Sequence, residues 1–68
     1  MSAPDLFPEA PPLVPLDLQI ACVEREIRMR EQVYPRWIDQ KKLRQATADR
    51  ELAQMRAVLA TLQSLKKG

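Results

Sequence analysis

The chain is 68 residues long, with a formal net charge of +2, a single cysteine and no histidine. One cysteine excludes an internal disulfide, and one thiol among scattered carboxylates is not a zinc or iron site. A chain this short lies near the lower limit of independent stability, so with no disulfide or metal the remaining route to a stable fold is association.

Five of the six prolines fall at positions 4, 8, 11, 12 and 15. Each removes a backbone donor and restricts the residue before it, so residues 1–16 are expected to form an extended, disordered, proline-rich tail. The tail carries Asp5 and Glu9 and no cation. Residues 17–68 hold all eleven Lys and Arg against seven acids, for +4. Leu6, Phe7, Leu13, Val14 and Leu16 give the tail apolar side chains that can dock, either on a partner or back over its own helices.

Asp17 follows the last tail proline and reads as the N-cap of a first helix, predicted over about 17–34. On a 100° wheel Leu16, Ile20, Val23, Ile27 and Tyr34 share one sector, with Trp37 and Ile38 at its edges. Glu24 with Arg28, and Glu26 with Arg30, are spaced for i,i+4 ion pairs. Pro35 cannot donate to the carbonyl of Glu31 and predicts an end or a kink near Tyr34, with kink and turn spanning 35–43; residues 35–38 can still add a turn beyond the kink, and a single long kinked helix is the alternative to the hairpin. A second helix is predicted over about 44–66, with Ala48, Leu52, Met55, Leu59 and Leu62 as its stripe and Val58 and Leu65 flanking. Lys66 and Lys67 at its end suit the helix dipole. The expected fold is all-α: a two-helix antiparallel hairpin of coiled-coil type over 17–67.

Both helices carry a second face. Leu18, Cys22, Met29 and Val33 lie opposite Ile20 and Ile27, while Ala53, Ala57 and Ala60, with Ala46, form a small-residue seam away from the leucine stripe. A hairpin covers only one face of each helix, so these residues are the expected dimer interface of a four-helix bundle. The alternative is that the alanines are helix formers on a wet face.

Tyr34, Arg36 and Trp37 form the densest local signal, with Lys41, Lys42 and Arg44 nearby. An aromatic, basic end can stack on bases and hold phosphates, or can simply plug the hairpin with solvated cations around it. Catalysis has little to draw on: there is no general acid–base histidine, no glycine-rich phosphate loop and no activating partner for Cys22. The expectation is a protein that is not an enzyme and takes no cofactor and no metal. No apolar run approaches the ~20 residues of a bilayer span, and no secretory signal pattern opens the sequence, so a cytoplasmic protein without membrane contact is expected.

Two resemblances follow from these strings. Asp5-Leu6-Phe7 resembles the acidic-Leu-Phe end of short peptides that bind the bacterial sliding clamp, although the glutamine and leucine expected before it are missing. From residue 18 to 65 the chain is similar to small, mostly uncharacterised helical proteins encoded by bacteriophages and prophages. The residues that carry this are Cys22-Val23-Glu24-Arg25-Glu26-Ile27-Arg28-Met29-Arg30, Val33-Tyr34-Pro35-Arg36-Trp37, Ala48-Asp49-Arg50-Glu51-Leu52 and Met55 to Leu62. That group often has a glycine and then Thr or Ser between its helices, where Lys41 and Arg44 stand here. The resemblance implies a phage origin, a bacterial host cell and an accessory role such as an inhibitor, and carries over no active residues. The first functional expectation is a protein that binds and modulates a host or phage protein through Leu6, Phe7, Tyr34, Arg36 and Trp37. A small nucleic-acid-binding accessory is the second, a carrier of a clamp-binding peptide the third. A further reading makes the hairpin an assembly part of a larger complex.

Overall fold

A computed structural model describes residues 13–67 of the chain. The proline-rich segment over 1–12, including Leu6 and Phe7, lies outside the described residues. Two helices follow one another, α1 over Leu16–Asp39 and α2 over Gln45–Lys67, packed side by side as an antiparallel hairpin. This is the all-α hairpin that the two hydrophobic periods imply.

The α1 stripe repeats every seven residues at Ile20, Ile27 and Tyr34, and these three side chains are buried. Leu16, Val23 and Ile38 beside them are half-buried. On α2 the stripe Ala48, Leu52, Met55, Leu59, Leu62 alternates four and three residues, the spacing that keeps one face of a helix turned to its neighbour. Only Ala48 is buried, at 2% exposure; the other four stay half-buried. Two helices alone cannot close over their own seam.

The termini of α1 differ from expectation at both ends. Asp17 is not the N-cap. Pro15 occupies that position, and its carbonyl accepts the amides of Leu18 and Gln19 at 3.0 and 3.1 Å without any side-chain cap. Proline suits this place because it has no amide of its own to leave unsatisfied at the helix entrance. The Gln19 side-chain amide also donates to the Val14 carbonyl at 2.8 Å. Asp17, one residue into the helix, instead receives the Lys66 ammonium at 2.8 Å across the open end of the hairpin.

Pro35 does not end α1, which continues to Asp39. The missing bond leaves the Glu31 carbonyl without its intrahelical donor. Pro35 and Glu31 are both exposed, so water can serve that carbonyl. Tyr34 and Ile38 pack inward on either side of the proline, and their burial holds the helix together through it. The turn is therefore shorter than 35–43 and comprises residues 40–44. The amide of Gln40 bonds the Arg36 carbonyl at 3.0 Å, Lys41 the Ile38 carbonyl at 3.0 Å, and Lys42 the Trp37 carbonyl at 2.8 Å. The last two form a Schellman closure, whose left-handed residue is Lys41 at φ 61°. The carbonyl of Arg44 then accepts the Ala48 amide at 3.0 Å as α2 begins.

Candidate interaction surfaces

The angular position of each side chain relative to the buried stripes divides the hairpin into two unlike flanks. On one flank lie Asp17, Ala21 and Glu24 of α1 with Gln63, Lys66 and Lys67 of α2, around a shallow polar groove. Both ion pairs between the helices are on this side. Asp17 holds Lys66, and Glu31 holds Arg56. The hydrogen bond from Lys66 to Asp17 raises the pKa of the ammonium above the ordinary lysine value, and the Glu24 charge adds to this. Of the two i,i+4 pairs expected within α1, Glu26–Arg30 forms at 2.8 Å, with Arg30 also donating to the Glu26 carbonyl at 3.1 Å. The bond to Glu26 raises the Arg30 pKa further above its ordinary value. Glu24–Arg28 does not form, and Glu24 lines the groove that contains Lys66.

At the open end of the hairpin the opposite flank is apolar; farther along, Glu51 of α2 and Arg44 just before it stand one and two heptads before Val58 on the same side. Leu13, Val14, Leu18, Gln19, Cys22 and Val23 line one wall of a second groove, and Val58 and Leu62 of α2 line the other. Leu65, one heptad after Val58, continues that wall. Leu18 is 60% exposed, Val58 48% and Leu65 62%, an unusual cost for large aliphatic side chains to leave in water. The Cys22 thiol is free and exposed at the groove's edge.

The seven residues expected to form one dimer interface do not share a surface. Leu18 and Cys22 line the apolar groove together with Val58 and Leu62. Met29 and Val33 lie further along α1, Met29 exposed and Val33 half-buried. Ala53, Ala57 and Ala60 are exposed on the side of α2 turned away from its buried stripe. The backs of two paired helices point in opposite directions, so one flat partner cannot touch both. Placing them required the rotation of each helix about the other, which the wheel of a single helix does not contain. Val58 and Leu65, which the sequence already sets beside the α2 stripe on one side, gain a role only once α1 stands next to them.

The aromatic end also divides. Tyr34 is buried, whereas Trp37 is 41% exposed and leans on it with ring centroids 5.8 Å apart at 38°. Arg36 is exposed beside them. Lys41, Lys42 and Arg44 line a small hollow at the turn with Ile38, Leu43 and Gln45. Among the described residues none of these four cations has an ion-pair partner. No three metal-ligating side chains come together among the described residues. Neither helix is long and apolar enough to cross a membrane.

No protein-family model matches the chain, and no curated protein or solved structure matches it at a significant level.

Proposed function

We propose that this chain is a phage- or prophage-encoded accessory protein that works in the bacterial cytoplasm as a homodimer and modulates another protein by binding it, without catalysis. The observation that carries this reading is the contrast between a sparse interior and the large apolar side chains displayed outside it. Among the described residues four side chains are buried, while Leu18 and Leu65 stay largely in water and Val58 and Trp37 nearly half so, on a chain with many charges to present instead. Surfaces of that kind are kept when a partner covers them. Trp37 beside Arg36 is the recognition pair, since exposed Trp and Arg contribute most per residue at protein interfaces. Leu6 and Phe7 are the second recognition element and the link to the sliding-clamp reading.

The test is capture from host lysate by the immobilised full chain, compared with Trp37→Ala and with a Leu6→Ala, Phe7→Ala double variant. One protein enriched by the native chain and lost with either variant, while circular dichroism shows both variants folded, supports the reading and locates recognition. Equal capture by all three, or enrichment no better than a scrambled sequence, refutes it.

A nucleic-acid role is the second reading, favoured by the four unpaired cations Arg36, Lys41, Lys42 and Arg44 around the turn. It requires binding to short duplex or single-stranded DNA that weakens steeply with salt. No retardation in a low-salt gel shift would dismiss it.

A further inference from the structure

We propose that the apolar groove at the open end of the hairpin is a seat for residues 1–12 of the same chain, with Leu6 and Phe7 lying against Val23, Val58 and Leu62. That segment lies outside the described residues, and its docking is independent of the partner and dimer readings above.

Three observations select this occupant. The first is size. On α1 the groove runs from Leu18 to Val23 and on α2 from Val58 to Leu62, about 6–8 Å along each helix. The cleft holds about 640 Å³, within the range that takes a small ligand or a few side chains. Beyond it Glu51 and Arg44 stand exposed on the same side, with no ion-pair partner among the described residues. A short apolar segment fills such a groove, whereas a second hairpin would have to cover those charges as well.

The second is the place where the chain arrives. Leu13 and Val14, the residues that follow the segment, themselves line the groove. The Gln19 side chain, also part of its lining, donates to the Val14 carbonyl at 2.8 Å and fastens the incoming chain to this flank. Asp17 and Lys66 stand on the other flank. Residues 1–12 are therefore tethered at the rim of the groove, and so short a tether holds a docking segment at millimolar effective concentration.

The third is reach and composition. Six residue steps separate Phe7 from Leu13, up to about 20 Å of chain, which exceeds twice the groove's length and lets Phe7 turn back over Val58. Pro8, Pro11 and Pro12 fall within that stretch, and a proline-restricted connection has less freedom to lose when its end docks. Asp5 and Glu9 oppose the +4 of residues 17–68, so the hairpin attracts the segment overall. They stand on either side of Leu6-Phe7, where both carboxylates can stay in water at the rim.

The experiment is nuclear magnetic resonance on the full chain, isotope-labelled to read contacts from the Phe7 ring to the Val58 and Leu62 methyls. Alongside it, the rate at which N-ethylmaleimide modifies Cys22 is measured at several protein concentrations. The contacts are expected at every concentration, and they should vanish when labelled and unlabelled chains are mixed and only contacts between chains are selected. Leu6→Ser combined with Phe7→Ser uncovers the groove and should raise the Cys22 rate roughly tenfold, whereas Ala10→Ser should leave it unchanged. The Phe7 contacts decide wherever the two readouts disagree or the double variant loses its helical signal. Contacts found only between chains would give the groove to another copy's segment and overturn the proposal. Absence of the contacts overturns it too, and a Cys22 rate that then falls with concentration would identify a second hairpin as the occupant. Capture of a partner through Leu6 and Phe7 without these contacts would uphold the partner reading and defeat this one.

Discussion

Lys41 should be improvable, and the reason is purely backbone. Its φ of 61° places an L-residue in the left-handed region, where the Cβ crowds the following carbonyl by about 1–2 kcal/mol. The position is enforced by the Schellman closure, because the Lys41 and Lys42 amides reach the Ile38 and Trp37 carbonyls only with the chain turned this way. Glycine removes the crowding but has more freedom to lose on folding, about 0.5–1 kcal/mol. The balance for Lys41→Gly is a gain of about 0.5–1 kcal/mol, or roughly 3–6 °C in melting temperature for a chain of this size. Lys41→Ala is the control: it deletes the charge, keeps the Cβ, and should shift the melt very little. Thermal unfolding followed by circular dichroism, at one fixed protein concentration because association would shift the midpoint, compares the two. A glycine variant no more stable than the alanine variant would mean that the crowding at this residue is not what limits the turn.

Three further outcomes can be checked with the same instrument. Pro35→Ala restores the donor to the Glu31 carbonyl and should add about 1–3 kcal/mol in urea unfolding; a loss would show that the helix needs the ring there. Ala48→Leu forces a larger side chain into the most buried position of the seam and should cost about 1–3 kcal/mol, with the helical signal retained. The Lys66 pKa is raised in the folded chain, so the stability from its contact with Asp17 is complete below the ordinary lysine value of 10.5 and declines as pH rises through the higher folded value. Both side chains are largely exposed, so the decline should be small. Lys66→Gln should remove that component from an alkaline stability profile, and an unchanged profile would refute its assignment to Lys66.

The helices were legible from spacing because a buried stripe is a property of one helix. Ile20, Ile27 and Tyr34 recur every seven residues, and Ala48 to Leu62 alternate four and three, so both inward faces follow from the sequence. The passage through Pro35 was legible only as one of two alternatives, an end or a kink. The local penalty of a proline is visible in the sequence, whereas the burial of Tyr34 and half-burial of Ile38 that outweigh it belong to the assembled hairpin. Asp17 misled for a related reason: a carboxylate after a proline suits a cap, and only the antiparallel register shows Lys66 within reach. The division into flanks lay deeper still. It depends on how two helices are turned against each other, and residues as far apart as Leu18 and Val58 acquire a common role only then. The wheel also separates Tyr34 from Trp37, because three residues advance a helix by about 300°, enough to send one ring inward and leave the other at the edge.

The two interhelical ion pairs on a single side have a consequence for the size of any assembly. A protein that can add neighbours on two opposed sides keeps adding them, and the product is a fibre. A protein with one receptive side and one well-hydrated side stops growing once like has met like. Asp17–Lys66 and Glu31–Arg56, too exposed to contribute much to the stability of one hairpin, instead make this side costly to dehydrate and so a poor place for any neighbour to settle.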